Sequence, residues 1–160
     1  MNIWKKILGI SLAVGLSVSM GIVPIYADSI SILDEITDEE TTEDYSEDTS
    51  TILARSSYLH LGNVKIQRVS SNEIAIYGLT QCHKKCSKVY LSLFLERKVN
   101  GSYGTYKIWE FTAKNASSLS KEIDVAVPSG TYYRVRGYHA ASQSGKKEST
   151  STLTQGIMVK

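Results

Sequence analysis

The chain has 160 residues, 42% of them hydrophobic and 21% charged, with a formal net charge of +2 and two cysteines. That length fits one domain, and a single pair of cysteines leaves no second pair for a four-ligand zinc motif. The near-balance of charge conceals a segregation: residues 28–51 hold ten acidic side chains and no basic one, while residues 52–160 hold sixteen basic against six acidic ones.

The first 27 residues read as a secretory signal peptide. Asn2 to Lys6 is a short positive region, Ile7 to Val23 an uncharged apolar run, and Ala27 a small residue before a polar stretch, which places cleavage after Ala27. The run is 17 residues long and contains Gly9, Gly15 and Gly21. That is the short limit for a bilayer span, so no integral membrane span is expected after processing. Residues 28–56 follow as an acidic stalk of Asp, Glu, Ser and Thr. Such a segment buries too little apolar surface to offset its ordering entropy, so it is expected to be disordered.

From Tyr58 onward apolar residues recur at every second position. Val64–Gln67 and Ile74–Tyr77 are two such runs, and Lys88–Arg97 is the clearest, with Val89, Leu91, Leu93 and Leu95 on one face and Tyr90, Ser92, Phe94 and Glu96 on the other. Asn100-Gly101 is a hairpin signal. Further strands are expected over Thr105–Thr112, Lys121–Val127, Thr131–Ala140 and about Ser149–Val159, with turns at Pro128-Ser129-Gly130 and residues 144–147. The prediction is an all-β domain over residues 57–160, a seven-stranded antiparallel β-sandwich. Its core is expected from Ile66, Ile74, Ile76, Val89, Leu91, Leu93, Leu95, Trp109, Phe111, Ile123, Val125, Val127, Tyr133 and Val135. The stretch Val127–Val135 resembles the entry to the sixth strand of fibronectin type III and related immunoglobulin-like sandwiches. That resemblance implies an inward corner tyrosine at Tyr133.

Cys82 and Cys86 stand in a bend between two expected strands. In an exported chain their pairing as a disulfide is expected, clipping a tight loop. Metal binding by Cys82, His83 and Cys86, completed by His60 or His139, is the alternative. Three lysines, Lys84, Lys85 and Lys88, crowd that stretch with positive charge. No nucleophile elbow, metal-ligand pair or phosphate-cradling loop accompanies the three histidines, so no catalytic residue, metal or cofactor is expected.

The candidate functional feature is a surface. If Tyr133, Val135 and Gly137 face inward, Tyr132, Arg134, Arg136 and Tyr138 face outward. If strands 88–97 and 131–140 are neighbours, Tyr90 and Phe94 join them. Rings give rigid apolar contact and guanidiniums pair with carboxylate or phosphate, as a binding face requires. Cross-strand aromatic pairs also stabilise a sheet without binding anything, and that reading stays open. The acidic stalk could itself fold back on the basic body and mask it.

The runs Cys82–Val89, Leu95–Arg97, Tyr106–Trp109, Ser118–Lys121, Tyr132–His139 and Glu148–Thr152 resemble a family of small exported proteins of Gram-positive bacteria, a domain of unknown function. The resemblance covers about residues 57–158 and implies lineage and export. The function expected is a secreted, non-catalytic binding module at the bacterial envelope, extracellular or surface-associated. Its partner would be an anionic envelope polymer, a glycan or another secreted protein. An exported bacteriocin-like effector and a hydrolase with an unrecognised site are the alternatives. Nothing resembles a base-reading module, so nucleic acid is not an expected partner.

Overall fold

The computed structural model describes residues 40–51 and 56–160; the leader expected over residues 1–27 and the start of the acidic stalk lie outside the described residues. Among the described residues seven strands form: β1 (Tyr45–Thr51), β2 (Leu59–Ser70), β3 (Glu73–Val99), β4 (Ser102–Ala126), β5 (Thr131–Gln143), β6 (Lys146–Leu153) and β7 (Ile157–Val159). All named strands pair antiparallel, in the order β1-β2-β3-β5-β6, with β4 on β3 and β7 on β5. The expected all-β, seven-stranded antiparallel architecture is therefore what forms, but not with the expected seven strands. The second and third expected strands are one continuous strand, β3. The fourth and fifth are likewise β4, and the last divides into β6 and β7.

A straight strand of 27 residues would reach about 90 Å. β3 instead turns a corner near Cys82–Cys86, where its pairing with β4 is interrupted between Gln81 and Cys86. Inward positions are even-numbered before the corner (Ile74, Ile76, Thr80) and odd-numbered after it (Val89, Leu91, Leu93). On β4 the interruption falls between Ala116 and Ser118, and the adjacent Asn115 has a φ of 50°, a conformation Asn tolerates better than most residues. After the corner the two halves of β3 face each other: a Cβ on Gly78 would lie 2.7 Å from Leu93. One layer thus holds β1, β2, the start of β3 and the end of β4. The other holds the start of β4, the end of β3, β5 and β6. Asn100-Gly101 makes the β3–β4 hairpin with both residues at positive φ (52° and 84°), and Ser144-Gly145 does the same for β5–β6 (51° and 78°).

Between the layers lies the core of Val64, Ile66, Ile74, Ile76, Leu91, Leu93, Leu95, Val125, Val127, Tyr133, Val135, Ile157 and Val159. Trp109, Phe111 and Ile123, expected inside, are only partly buried because β4 pairs on one side alone. Tyr133 is fully buried and its hydroxyl donates to Pro128 O at 2.8 Å, fixing the entry to β5.

The expectation of disorder fails for Tyr45–Thr51. This stretch pairs with β2 along its whole length, from Tyr45 opposite Gln67 to Thr51 opposite Leu61. It also closes a seam to β6. Alternate side chains reach across: Ser46 Oγ accepts Gln155 N at 2.9 Å, Asp48 accepts Leu153 N at 2.8 Å, and Ser50 bonds Thr150 at 2.6 Å. The intervening Glu47 and Thr49 accept from Asn63 Nδ2, each at 2.7 Å. Polar side chains here satisfy main-chain donors that a sheet edge would otherwise leave open.

Candidate functional site

The structure pairs the end of β3 with β5, as the surface hypothesis requires: Phe94 stands opposite Arg136 and Ser92 opposite Tyr138. Their outer face carries a shallow groove of about 320 Å³ lined by Tyr90, Ser92, Phe94, Glu110, Phe111, Thr112, Tyr138 and Lys147. The aromatic rings are half-buried, and each of three has a cation over it. Lys147 Nζ lies 4.8 Å from the Tyr90 ring and 5.4 Å from that of Tyr138, and the Arg136 guanidinium lies 4.1 Å from the Phe94 ring. Cations so placed are held by the ring quadrupole and keep their other N–H groups for solvent or ligand.

Four of the six residues singled out in the sequence therefore meet at one place: Tyr90, Phe94, Tyr138 and, at the border, Arg136. The other two do not. Tyr132 stands opposite Met158 at the far end of β5, outside the groove. Arg134 does face outward, but it is 3% exposed and serves the fold. Its Nε donates to Glu96 at 2.7 Å, and its guanidinium lies 4.0 Å from the Tyr103 ring, which covers it. Glu96, itself 6% exposed, accepts from Arg136 with its other oxygen at 3.1 Å. One buried carboxylate thus serves two guanidiniums, and Arg134 Nη1 is buried without a hydrogen-bond partner among the described residues. Sequence reasoning missed Glu110, Thr112 and Lys147. Lys147 arrives from the next hairpin, and no local pattern announces that.

The cysteines lie within β3, at its corner, rather than between two strands. Both are buried thiols in a second apolar cluster with Leu59, Val89 and Ala141, and not the expected disulfide. Burial, reinforced by a hydrogen bond with Cys86, pushes the Cys82 thiol up to about 12. His60 and His83 instead pack ring against ring, tilted by 45°, with centroids 4.6 Å apart. Among the described residues no three His, Cys, Asp or Glu side chains cluster as metal ligands.

His139 is a core residue. It is fully buried, with Nδ1 3.0 Å from Thr80 Oγ1 and Nε2 2.8 Å from Thr152 Oγ1. Its ring lies against the bare backbone of Gly62, where a Cβ would come within 2.3 Å of it. Desolvation lowers its pKa to about 4, so the ring is neutral at ordinary pH. Glu148 anchors the chain where it enters β2, accepting the N–H groups of Ser57, Tyr58 and Leu59 (2.9, 2.9 and 2.8 Å) and the Ser56 hydroxyl. Burial acts to raise its pKa, but these hydrogen bonds outweigh that and hold it at about 2.

A family model described as a family of unknown function matches residues 32–157. None of the curated proteins matches the chain.

Proposed function

The chain belongs to this family of unknown function, DUF6147, and we propose from its own surface that it is an exported, non-catalytic binding module. It holds an anionic glycan of the bacterial envelope in the groove of Tyr90, Phe94 and Tyr138. The observation that carries this reading is the pairing of half-exposed rings with cations around one groove. A sugar ring offers an apolar C–H face to an aromatic ring, while its hydroxyls need polar partners at the rim. Ser92, Glu110 and Thr112 supply those partners. Lys147 and Arg136 supply counter-charge for a carboxylate, sulfate or phosphate on the polymer. The groove's volume lies at the small end of ligand sites, which suits one or two residues of a chain running along the face.

Export rests on the leader at residues 1–27. In the oxidising compartment it implies, Cys82 and Cys86 would close as a disulfide across the β3 corner, since both face the same small apolar cluster. Kinship with fibronectin type III sandwiches draws support from the two-layer arrangement and from the bond of Tyr133 to Pro128.

The test is retention of the processed protein on purified Gram-positive cell wall. Retention released by salt is the expected result. Tyr138→Ala and Lys147→Glu should each weaken it about tenfold, while the melting temperature stays within about 2 °C of the unmodified protein. Failure of the unmodified protein to bind wall overturns the reading. Killing of neighbouring cells without wall retention would turn it toward the effector alternative, and turnover of a wall substrate toward the hydrolase.

A further inference from the structure

We propose that Lys88, Lys114 and Lys147 form a subsite for the phosphate or sulfate groups of a polyanion, set against the end of the groove nearest the β3 corner. The subsite is inferred from the lysines themselves; only its place on the path of a glycan rests on the reading above.

The register of the strands puts the three lysines in one row. Lys88 on β3 stands opposite Lys114 on β4 and, on its other side, opposite Ser142 on β5, which in turn faces Lys147 on β6. Residues directly opposite one another share a face of the sheet, and all three lysines are exposed. Two residues along each strand, the next row is Thr112, Tyr90, Ala140 and Ser149, so the groove adjoins the lysines. Lys147 joins the two, its Nζ leaning to 4.8 Å from the Tyr90 ring. Arg136, opposite Phe94, lies three rows from Lys88, about 20 Å away at the other end of the groove. Among the described residues of these four rows, Glu110 is the one carboxylate. A chain laid along the face thus meets cations at both ends of the aromatic stretch.

The second observation is what this arrangement costs. Like charges directly opposite on neighbouring strands repel and destabilise the sheet. Among the described residues neither Lys88 nor Lys114 forms an ion pair that would relieve it. Lysine on a free sheet edge guards against edge-to-edge pairing, which would account for Lys114 on β4. It does not account for Lys88, which lies on a strand paired on both sides. A tetrahedral oxyanion seated between the two ammoniums turns their repulsion into attraction and offers an oxygen to each. Lysine suits this role, since its ammonium is a compact point charge on a flexible stem and adapts to the anion it meets. Lys84 and Lys85, exposed at the corner of β3, add to the field that draws a polyanion to this end.

The test is binding of inorganic polyphosphate to the processed chain, measured by titration calorimetry at low salt. Lys88→Gln plus Lys114→Gln should weaken it about tenfold and make the dependence on salt shallower. Lys107→Gln plus Lys121→Gln, an equal change of charge on β4 away from this row, should weaken it less than about threefold. Without any anion, Lys114→Glu should raise the melting temperature by about 2 °C, because it replaces a repulsive cross-strand pair by an attractive one. The same variant should lose polyphosphate affinity at least as far as the double lysine variant. Equal losses in the two double variants, or a melting temperature that fails to rise on Lys114→Glu, would overturn the subsite. Polyphosphate carries no sugar, so it reads the subsite apart from the groove. Wall retention without polyphosphate binding would overturn the subsite and leave the glycan reading standing. Polyphosphate binding without wall retention would do the reverse.

Discussion

Asp48 on β1 accepts the main-chain N–H of Leu153 on β6 at 2.8 Å, joining residues that no ladder of backbone hydrogen bonds connects. With Ser46 and Ser50 on the same side, it turns an acidic, hydroxyl-rich stretch into the closing edge of the domain. Asp48→Ala should lower stability by about 1–3 kcal/mol, because it leaves a half-buried donor unmet. The fall should appear as a lower urea midpoint at unchanged slope, and Asp48→Asn should recover part of it. An unchanged midpoint in the alanine variant would mean that the seam contributes nothing. Deleting residues 28–51 wholesale removes β1 and leaves one edge of β2 unpaired, so loss of folding is the expected result rather than tighter binding.

Arg134 and Arg136 are two residues apart yet differ in burial and in consequence. Arg134→Ala leaves the buried Glu96 carboxylate with Arg136 alone, beside an emptied space, and should cost about 3 kcal/mol. Arg136→Ala leaves the Arg134–Glu96 bond in place and should cost about 1 kcal/mol. Thermal unfolding of the two single variants separates the roles; equal losses would contradict the assignment of Arg134 to structure.

Acid should destabilise the domain in two steps. His139 has its pKa lowered from 6.5 to about 4 by burial. Between those values the unfolded chain binds more protons than the native one, so stability is full above pH 6.5 and falls as pH drops toward 4, by on the order of 3 kcal/mol. Glu148, lowered from 4.5 to about 2 because its hydrogen bonds outweigh its burial, adds a second loss as pH falls from 4.5 toward 2. Urea titrations at pH 7, 5 and 3 measure both. His139→Gln should flatten the upper step, and Glu148→Gln the lower; a pH profile untouched by either substitution would refute the assignments.

Oxidation of Cys82 and Cys86 should lower the mass of native exported protein by about 2 Da, one hydrogen leaving each sulfur. Mass spectrometry after alkylation without reductant decides it. Two alkylated thiols in freshly secreted material would leave the pair as the buried thiols described above.

Much of the sheet was legible because its signal is apolar alternation. Val89, Leu91, Leu93 and Leu95 read directly as an inward face, and Asn100-Gly101 as a hairpin. What escaped obeys the same period with other chemistry. Ser46, Asp48 and Ser50 also alternate, but with oxygen in place of carbon, and hydropathy cannot see a pattern of hydrogen-bond acceptors. Gln81–Ser87 is polar enough to pass for a loop, yet it stays in the strand by turning the corner. The orientation of Arg134 was legible and its burial was not. Period two tells which side of a sheet a residue takes, but only tertiary structure brings Tyr103 over it. The groove followed from the neighbouring of β3 and β5, whereas Lys147 depended on how the next hairpin lies.

The corner in β3 and β4 has one more effect. The same covalent ribbon threads both walls of the molecule, so neither wall can melt while the other persists without prising that bend apart. The body should lose its structure in a single event. Its slowest-exchanging amides should lie on both arms of the bend together, around Ile76 on one and Leu93 on the other.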